Sequence, residues 1–282
     1  MKILYVTDLH GDKNKYEKML KIAVDENVNV IVNGGDMLPK QCDRRKEQSL
    51  FIKEYLQDYF ARLNTHGIKY LAMLGNDDLL SVDKSFDEVC NEFGNIYNIA
   101  QNKVKINDYE FIGMNYILDH PFGCKDRVVM EDNYIFQKQL MSQAKISNDS
   151  GFGTIENWIE YATTQLPKMR EILNKLPKPD NFNKAVYVMH MPPAGLKLGQ
   201  LSFQDMDIGS TDIYNFIKEK QPLLTLHGHI HESPDTQTGK WINSIKKTTC
   251  INPGQTETNS DVLIYANIDL WNGIFEREKS EC

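Results

Sequence analysis

The chain has no C-x-x-C pair, no long apolar run and no excess of basic residues. Each shortage excludes something. The five cysteines (Cys42, Cys90, Cys124, Cys250, Cys282) are odd in number and scattered. They read as free thiols in a reducing compartment, not as a disulfide framework or a cysteine zinc site. The first apolar stretch, Met1-Lys2-Ile3-Leu4-Tyr5-Val6-Thr7-Asp8, meets charge too soon for a signal peptide. No run approaches the roughly 20 apolar residues that span a bilayer, so a cytoplasmic protein with no membrane partner is expected. Lys and Arg number 32 against 39 Asp and Glu, for a net charge of −7. That balance disfavours a dedicated nucleic-acid or anionic-membrane surface, and nucleic acid is not an expected partner. The composition, 41% hydrophobic and 25% charged over 282 residues, is that of a globular protein.

What is present is a set of apolar, β-prone runs that end in polar clusters. The run Leu223-Leu224-Thr225-Leu226 closes in His227-Gly228-His229-Ile230-His231. The glycine permits a sharp turn, and His229 and His231 suit metal ligation better than packing. His227 reads as a packed strand residue. Ile3 to Val6 precedes Asp8-Leu9-His10, Val28 to Val32 precedes Gly35-Asp36, and Tyr70 to Leu74 precedes Gly75-Asn76-Asp77. Helical periodicity over Lys13–Glu26 and Glu47–Asn64 separates these strands. Repetition of strand, polar turn and helix predicts an α/β sheet with functional loops beyond the carboxyl ends of its strands.

Further along, Lys103 to Asn115 predicts a hairpin turning at Asn107-Asp108. Residues 119–183 show no strand pattern, and helices are expected over Asp126–Ala144 and Thr154–Leu176. This segment is read as a helical insertion within a single domain, 1–282. Ala185 to Met189 resumes strand character and ends at His190. A helix over Ser210–Lys220 follows, then a turn at Cys250-Ile251-Asn252-Pro253-Gly254. A closing hairpin is expected from Val262–Ile268 and Ile274–Glu276. His66 and His120 read as loop residues, and Asn252 as a turn former.

The strand-end residues Asp8, His10, Asp36, Asn76, His190, His229 and His231 offer two carboxylates, one amide and four imidazoles. That donor set suffices for two first-row divalent cations, provided one aspartate bridges, and the lack of cysteine disfavours a purely structural zinc site. Two cations about 3.5–4 Å apart polarise a phosphoryl group and activate a water between them.

Asp8-Leu9-His10, Gly35-Asp36, Gly75-Asn76, His190 and Gly228-His229-Ile230-His231 together resemble the five signature motifs of the calcineurin-like metallophosphoesterases. His190-Met191-Pro192-Pro193-Ala194-Gly195, Gly209-Ser210 and Gln221-Pro222-Leu223-Leu224 are further similar to the Icc-related branch. The resemblance implies a four-layer α/β (αββα) sandwich, two mixed β-sheets flanked by helices. It also implies that Asp8, His10, Asp36 and His231 hold one metal, and Asp36, Asn76, His190 and His229 the other. Manganese is the expected ion, with Fe, Zn, Ni or Co as alternatives.

Two departures stand out. Many members of that family carry His directly after the Asn, where this chain has Asp77; several pair it with an Asp where this chain has Pro39. An Asp77 carboxylate beside two cations is ionised, repels phosphate and donates no proton. Either a metal-bound water protonates the leaving group, or Asp77 points away and is structural.

The sequence therefore predicts a dinuclear metal-dependent phosphoesterase acting on a small phosphodiester or nucleotide-like ester by attack of metal-bound hydroxide. Asp36, Asn76, Asp77 and His190 are its candidate catalytic residues. The rivals are a nuclease of the same fold and a catalytically weak metal-binding scaffold. Oligomeric state is not legible.

Overall fold

The computed structural model describes every residue except 42, 133, 203–205, 258, 281 and 282. In chain order, β1 (Lys2–Val6), α1 (Lys13–Asp25) and β2 (Val30–Asn33) lead into a helical run. That run is made of α2 (Arg44–Leu50), a π-helical turn (Phe51–Leu56) and α3 (Gln57–Thr65). β3 (Lys69–Ala72), α4 (Asp83–Asn91) and β4 (Ile96–Asn98) complete the first half. β5 (Lys103–Ile106) and β6 (Tyr109–Met114) form the expected hairpin, then β7 (Ala144–Asn148), β8 (Gly151–Ile155), α5 (Trp158–Gln165) and α6 (Met169–Lys175) follow. The chain closes with β9 (Ala185–Met189), α7 (Thr211–Lys220), β10 (Leu224–Leu226), β11 (Ile242–Ile245), β12 (Thr248–Ile251), β13 (Leu263–Asp269) and β14 (Ile274–Ser280).

Two six-stranded mixed sheets result, ordered β14-β13-β1-β2-β3-β4 and β11-β12-β10-β9-β6-β5. Strand β1 shows why they stack. Its side chains alternate between faces, and both faces are apolar. Ile3 and Tyr5 join Val30, Val32, Phe111, Val186, Leu224 and Ile268 in the core between the sheets. Leu4 and Val6 face Tyr16, Met19, Tyr59 and Phe86 of the helices covering the first sheet. The second sheet is covered likewise: Tyr187 and Met189 pack with Met169, Leu173, Ile213 and Ile217. The layers run helix, sheet, sheet, helix, as a strand apolar on both faces requires. The central strands β1, β2, β3 and β9, β10 are parallel within their sheets, so their carboxyl ends share an edge.

Four expectations fail. Residues 119–183 are not purely helical, because β7 and β8 pair as an antiparallel hairpin. Among the described residues of Asp126–Ala144 the expected helix is absent: Val128 and Met130 lie extended and bridge Ile117 and Lys168, as β-branched Val128 and Val129 favour. The helix expected over Thr154–Leu176 starts inside β8 and is cut in two. Pro167 forces Leu166 to extended backbone (φ −82°, ψ 143°) between α5 and α6. Finally, Cys250 and Ile251 belong to β12 and not to the turn that follows. Cys90, Cys124 and Cys250 are free, while Cys42 and Cys282 lie outside the described residues. No helix among the described residues is long and apolar enough to cross a membrane.

Candidate metal centre

The strand ends deliver all seven predicted ligands to one place. Asp8 and His10 follow β1, Asp36 follows β2, Asn76 follows β3, His190 follows β9, and His229 and His231 follow β10. The turns are tight: Asp8, His10, Asp36 and His229 have φ of 58°, 46°, 52° and 68°. Left-handed backbone at four non-glycine positions costs of order 1 kcal/mol or more each and concentrates where a site demands it. Two glycines let the loops touch. A Cβ on Gly228 would lie 2.0 Å from Thr7 Oγ1, and one on Gly75 would lie 2.3 Å from Asp36 N.

Asp8, Asp36 and His190 are anchored by hydrogen bonds, whereas the buried His10 Nδ1 has no partner among the described residues. Asp8 Oδ2 accepts from Thr7 Oγ1 (2.9 Å) and His229 N (3.1 Å). Asp36 Oδ1 accepts from Asp77 N (2.8 Å). His190 Nδ1 donates to Gly34 O (2.9 Å), which in the neutral ring turns the Nε2 lone pair inward. The freed atoms converge. His190 Nε2 is 3.0 Å from Asn76 Oδ1, 3.6 Å from Asp36 Oδ2 and 3.9 Å from Asp8 Oδ1. His231 Nε2 is 3.4 Å from Asp8 Oδ1 and 3.1 Å from His10 Nε2. The ligand atoms of Asp8, His10, Asp36 and His231 all lie within 4.8 Å of one another. The His229 ring centroid sits 5.4 Å from that of His190.

Lone pairs so arranged repel unless positive charge lies between them, and this is how the residues fit divalent cations. The protonation pattern of the bare site agrees. Burial opposes charging His190, but Asp36 and Asp8 overcome it and raise its pKa to about 9. Burial also opposes the ionised forms of Asp8 and Asp36, yet His231 and His190 hold the Asp8 carboxyl, and His190, His10 and Lys40 the Asp36 carboxyl, below the usual range. Burial depresses His10 to about 4 and His229 to about 3, so these rings stay neutral and able to ligate. Oxygen and imidazole donors of this kind suit Mn, Fe, Co, Ni or Zn without selecting one.

The family model for calcineurin-like phosphoesterases matches residues 1–233. The chain belongs to the calcineurin-like phosphoesterase family. Solved structures agree in fold. TT1561 of Thermus thermophilus is 16% identical with a TM-score of 0.57, the match covering 98% of this chain and 97% of that one. A dimetal phosphatase from Danio rerio is 10% identical with a TM-score of 0.55, over 99% of this chain and 95% of that one. No curated protein matches.

Around the motifs of this calcineurin-like phosphoesterase lie residues the sequence did not single out. Asp77 pairs with Lys40 Nζ (2.5 Å) and Arg44 Nη1 (3.5 Å). Lys40 follows Pro39 directly, and its positive charge is felt at His10, Asp36 and His231. Fully buried Gln48 ties the two loops together: it donates to Pro39 O (3.1 Å) and Asp77 O (2.8 Å) and accepts from Leu79 N (2.8 Å). Asp78 does the same from the other side, accepting from Met37 N, Leu38 N and Gly75 N. Burial and the neighbouring Asp36 nonetheless raise Asp78 to about 7. No local motif marks Lys40, Gln48 or Asp78, since most of their partners lie 29 to 41 residues away. Asn252 sets the turn at Gly254 N and also donates to Leu198 O, Gly228 O and Ile230 O, which steadies the His229–His231 loop. His227 is fully buried, bonded to Met189 O, Met191 O and Thr225 Oγ1.

Proposed function

We propose that this chain is a dinuclear metal-dependent phosphoesterase, a single catalytic unit that hydrolyses a small phosphodiester or nucleotide-like phosphate ester. Asp8, His10, Asp36 and His231 would hold one cation, and Asp36, Asn76, His190 and His229 the other. When bound, the pair supplies Lewis-acid polarisation of the phosphoryl oxygens and an activated water as nucleophile. The observation that supports the reading is the inward convergence of His190 Nε2, Asn76 Oδ1, Asp36 Oδ2 and Asp8 Oδ1, a set held together only by positive charge, either the His190 proton or a cation in its place.

The chain's own residues then set geometry and charge. Asp36 would be shared by the two cations, and its carboxylate is oriented by a hydrogen bond from Asp77 N–H to Oδ1. Gly34 O holds the His190 ring in the tautomer that presents Nε2. Asn76, whose Oδ1 lies 3.0 Å from His190 Nε2, would ligate the second cation and help orient the phosphate. Asp77 anchors Lys40 and Arg44, so its charge is neutralised and does not repel an anionic ester. Net negative charge disfavours long polyanions.

A panel assay with added manganese tests this, using aryl monoesters, aryl diesters, cyclic nucleotides and oligonucleotides. Turnover of small diesters or nucleotides is expected. Preference for oligonucleotides would favour a nuclease, and bound metal without any turnover would favour the scaffold.

A further inference from the structure

The loop that opens the 119–183 segment places an imidazole at the site from outside the motif set. His120 is buried, 7% exposed. Its Nδ1 accepts the backbone N–H of Phe122 (3.2 Å), so the proton of the neutral ring sits on Nε2. That Nε2–H is buried and finds no acceptor among the described residues. Unsatisfied buried donors are rare, and each such group calls for a partner that is missing. The surroundings indicate which. The segment is tied to the site loops by geometry, Arg127 Nε donating to Gly75 O (2.8 Å) beside Asn76, and Asp77, Asp36 and His229 act on the His120 ring electrostatically, after Lys125 and Asp119 of its own loop.

A second observation concerns what holds the ring there. Beneath the loop lies a wholly buried ion pair, Lys125 Nζ to Asp119 Oδ1 at 2.7 Å. Lys125 also donates to the carbonyl of His120 itself and to Gln139 Oε1 (2.8 Å). Asp119 takes further bonds from Trp158 Nε1 (3.0 Å) and Gln139 Nε2 (3.0 Å), and its carbonyl from Tyr134 OH (2.6 Å). A desolvated ion pair is costly and contributes little net stability, so its use is better sought in fixing one conformation. Here that conformation is the His120 backbone. Burial, then the charge of Lys125, keep the ring neutral, with a pKa near 4.

We propose that His120 is a phosphate-contacting residue: its Nε2–H, fixed by the Asp119–Lys125 network, donates a hydrogen bond to an oxygen of the phosphate ester at the metal centre. This rests on the phosphoesterase reading. It gives the segment a task, to bring an imidazole donor to a site whose position 77 is an aspartate already engaged by Lys40 and Arg44.

The test is calorimetric binding of orthophosphate to the zinc-loaded full chain, with metal content measured in parallel. His120→Ala should weaken phosphate binding about ten- to a hundredfold, the effect of deleting one hydrogen bond to a charged group, with metal content unchanged. His120→Gln, which keeps an amide donor near the same place, should recover much of that loss. Equal phosphate affinity in His120→Ala overturns the proposal and leaves the phosphoesterase reading intact. Loss of metal from that variant also overturns it, because His120 would then be a ligand. A wild-type chain that takes up no metal, or binds no phosphate when loaded, overturns the proposal together with the reading beneath it. Ring ¹⁵N spectra of the zinc-loaded wild type decide the matter without a variant. Nε2 of His120 should be protonated and should shift on phosphate addition; a ring that does not respond overturns the assignment.

Discussion

Metal binding to this site must expel a proton, and the structure says from where. His190 is fully buried between Asp36 and Asp8, whose charges outweigh burial and raise it to about 9 against an ordinary value of 6.5. At neutral pH the bare site therefore holds an imidazolium whose Nε2 proton occupies the place a cation would take. A raised histidine pKa contributes stability to the metal-free protein that is fully present below pH 6.5 and is lost as pH rises through about 9. At 1.36 kcal/mol per unit that is about 3 kcal/mol. The same term opposes metal uptake. Affinity of the His190 metal should rise up to tenfold per pH unit, about a hundredfold between pH 6.5 and 8.5, since the ligating ring must be neutral. His231 is raised as well: burial opposes, but Asp8 prevails, and this would steepen the dependence for the second cation of the proposed pair. Calorimetry of zinc binding in two buffers of different ionisation enthalpy measures the protons released. Close to one per His190 metal near pH 7 is expected. Uptake with no proton release and a pH-independent affinity would refute the reasoning, because His190 would then be neutral beforehand or not a ligand.

Other perturbations follow from the same geometry. Gly228→Ala should abolish metal binding while leaving the sheets folded, as the added Cβ would sit 2.0 Å from Thr7 Oγ1 and 2.8 Å from Asp8 Oδ2; metal analysis with far-UV circular dichroism checks both halves. Gln48→Leu removes the link between the Pro39 and Asp77 loops and leaves the buried Leu79 N–H unpaired. The expected loss is about 1–3 kcal/mol in urea denaturation. Lys40→Ala releases a carboxylate beside the site, so KM for an anionic ester should rise about tenfold, the order of one charge-assisted contact, with metal content unchanged.

The parts of this fold that the sequence reveals are those where one strand decides its own environment. β1, β2, β3 and β9 are apolar on both faces, β10 on one, and all end in polar turns, so strand, edge and candidate ligand could be read together. Elements that depend on neighbours were hidden. The edge hairpin of β11 and β12 carries Asn243, Ser244 and Lys246 and turns on a lysine at φ 54° in place of a glycine. β4 is three residues long, held by pairing with β3. In the 119–183 segment, Asp126 to Ala144 has the spacing of an amphipathic helix, but its polar groups bond outward to other loops: Asp126 to Leu80 N and Ser147, Arg127 to Gly75 O and Asp83. The supporting residues of the site were illegible for a related reason. Lys40, Gln48, Asp78 and His120 owe their roles to partners the topology brings close, and no local spacing announces them.

Anomalous diffraction from manganese-soaked crystals, collected on the wild type and on Asp36→Asn, tests the central claim most directly. Two peaks are predicted in the wild type, one ringed by Asp8, His10, Asp36 and His231 and the other by Asp36, Asn76, His190 and His229, with both weakened or lost in the variant. No peak among these seven side chains, or two undiminished peaks in Asp36→Asn, would contradict it.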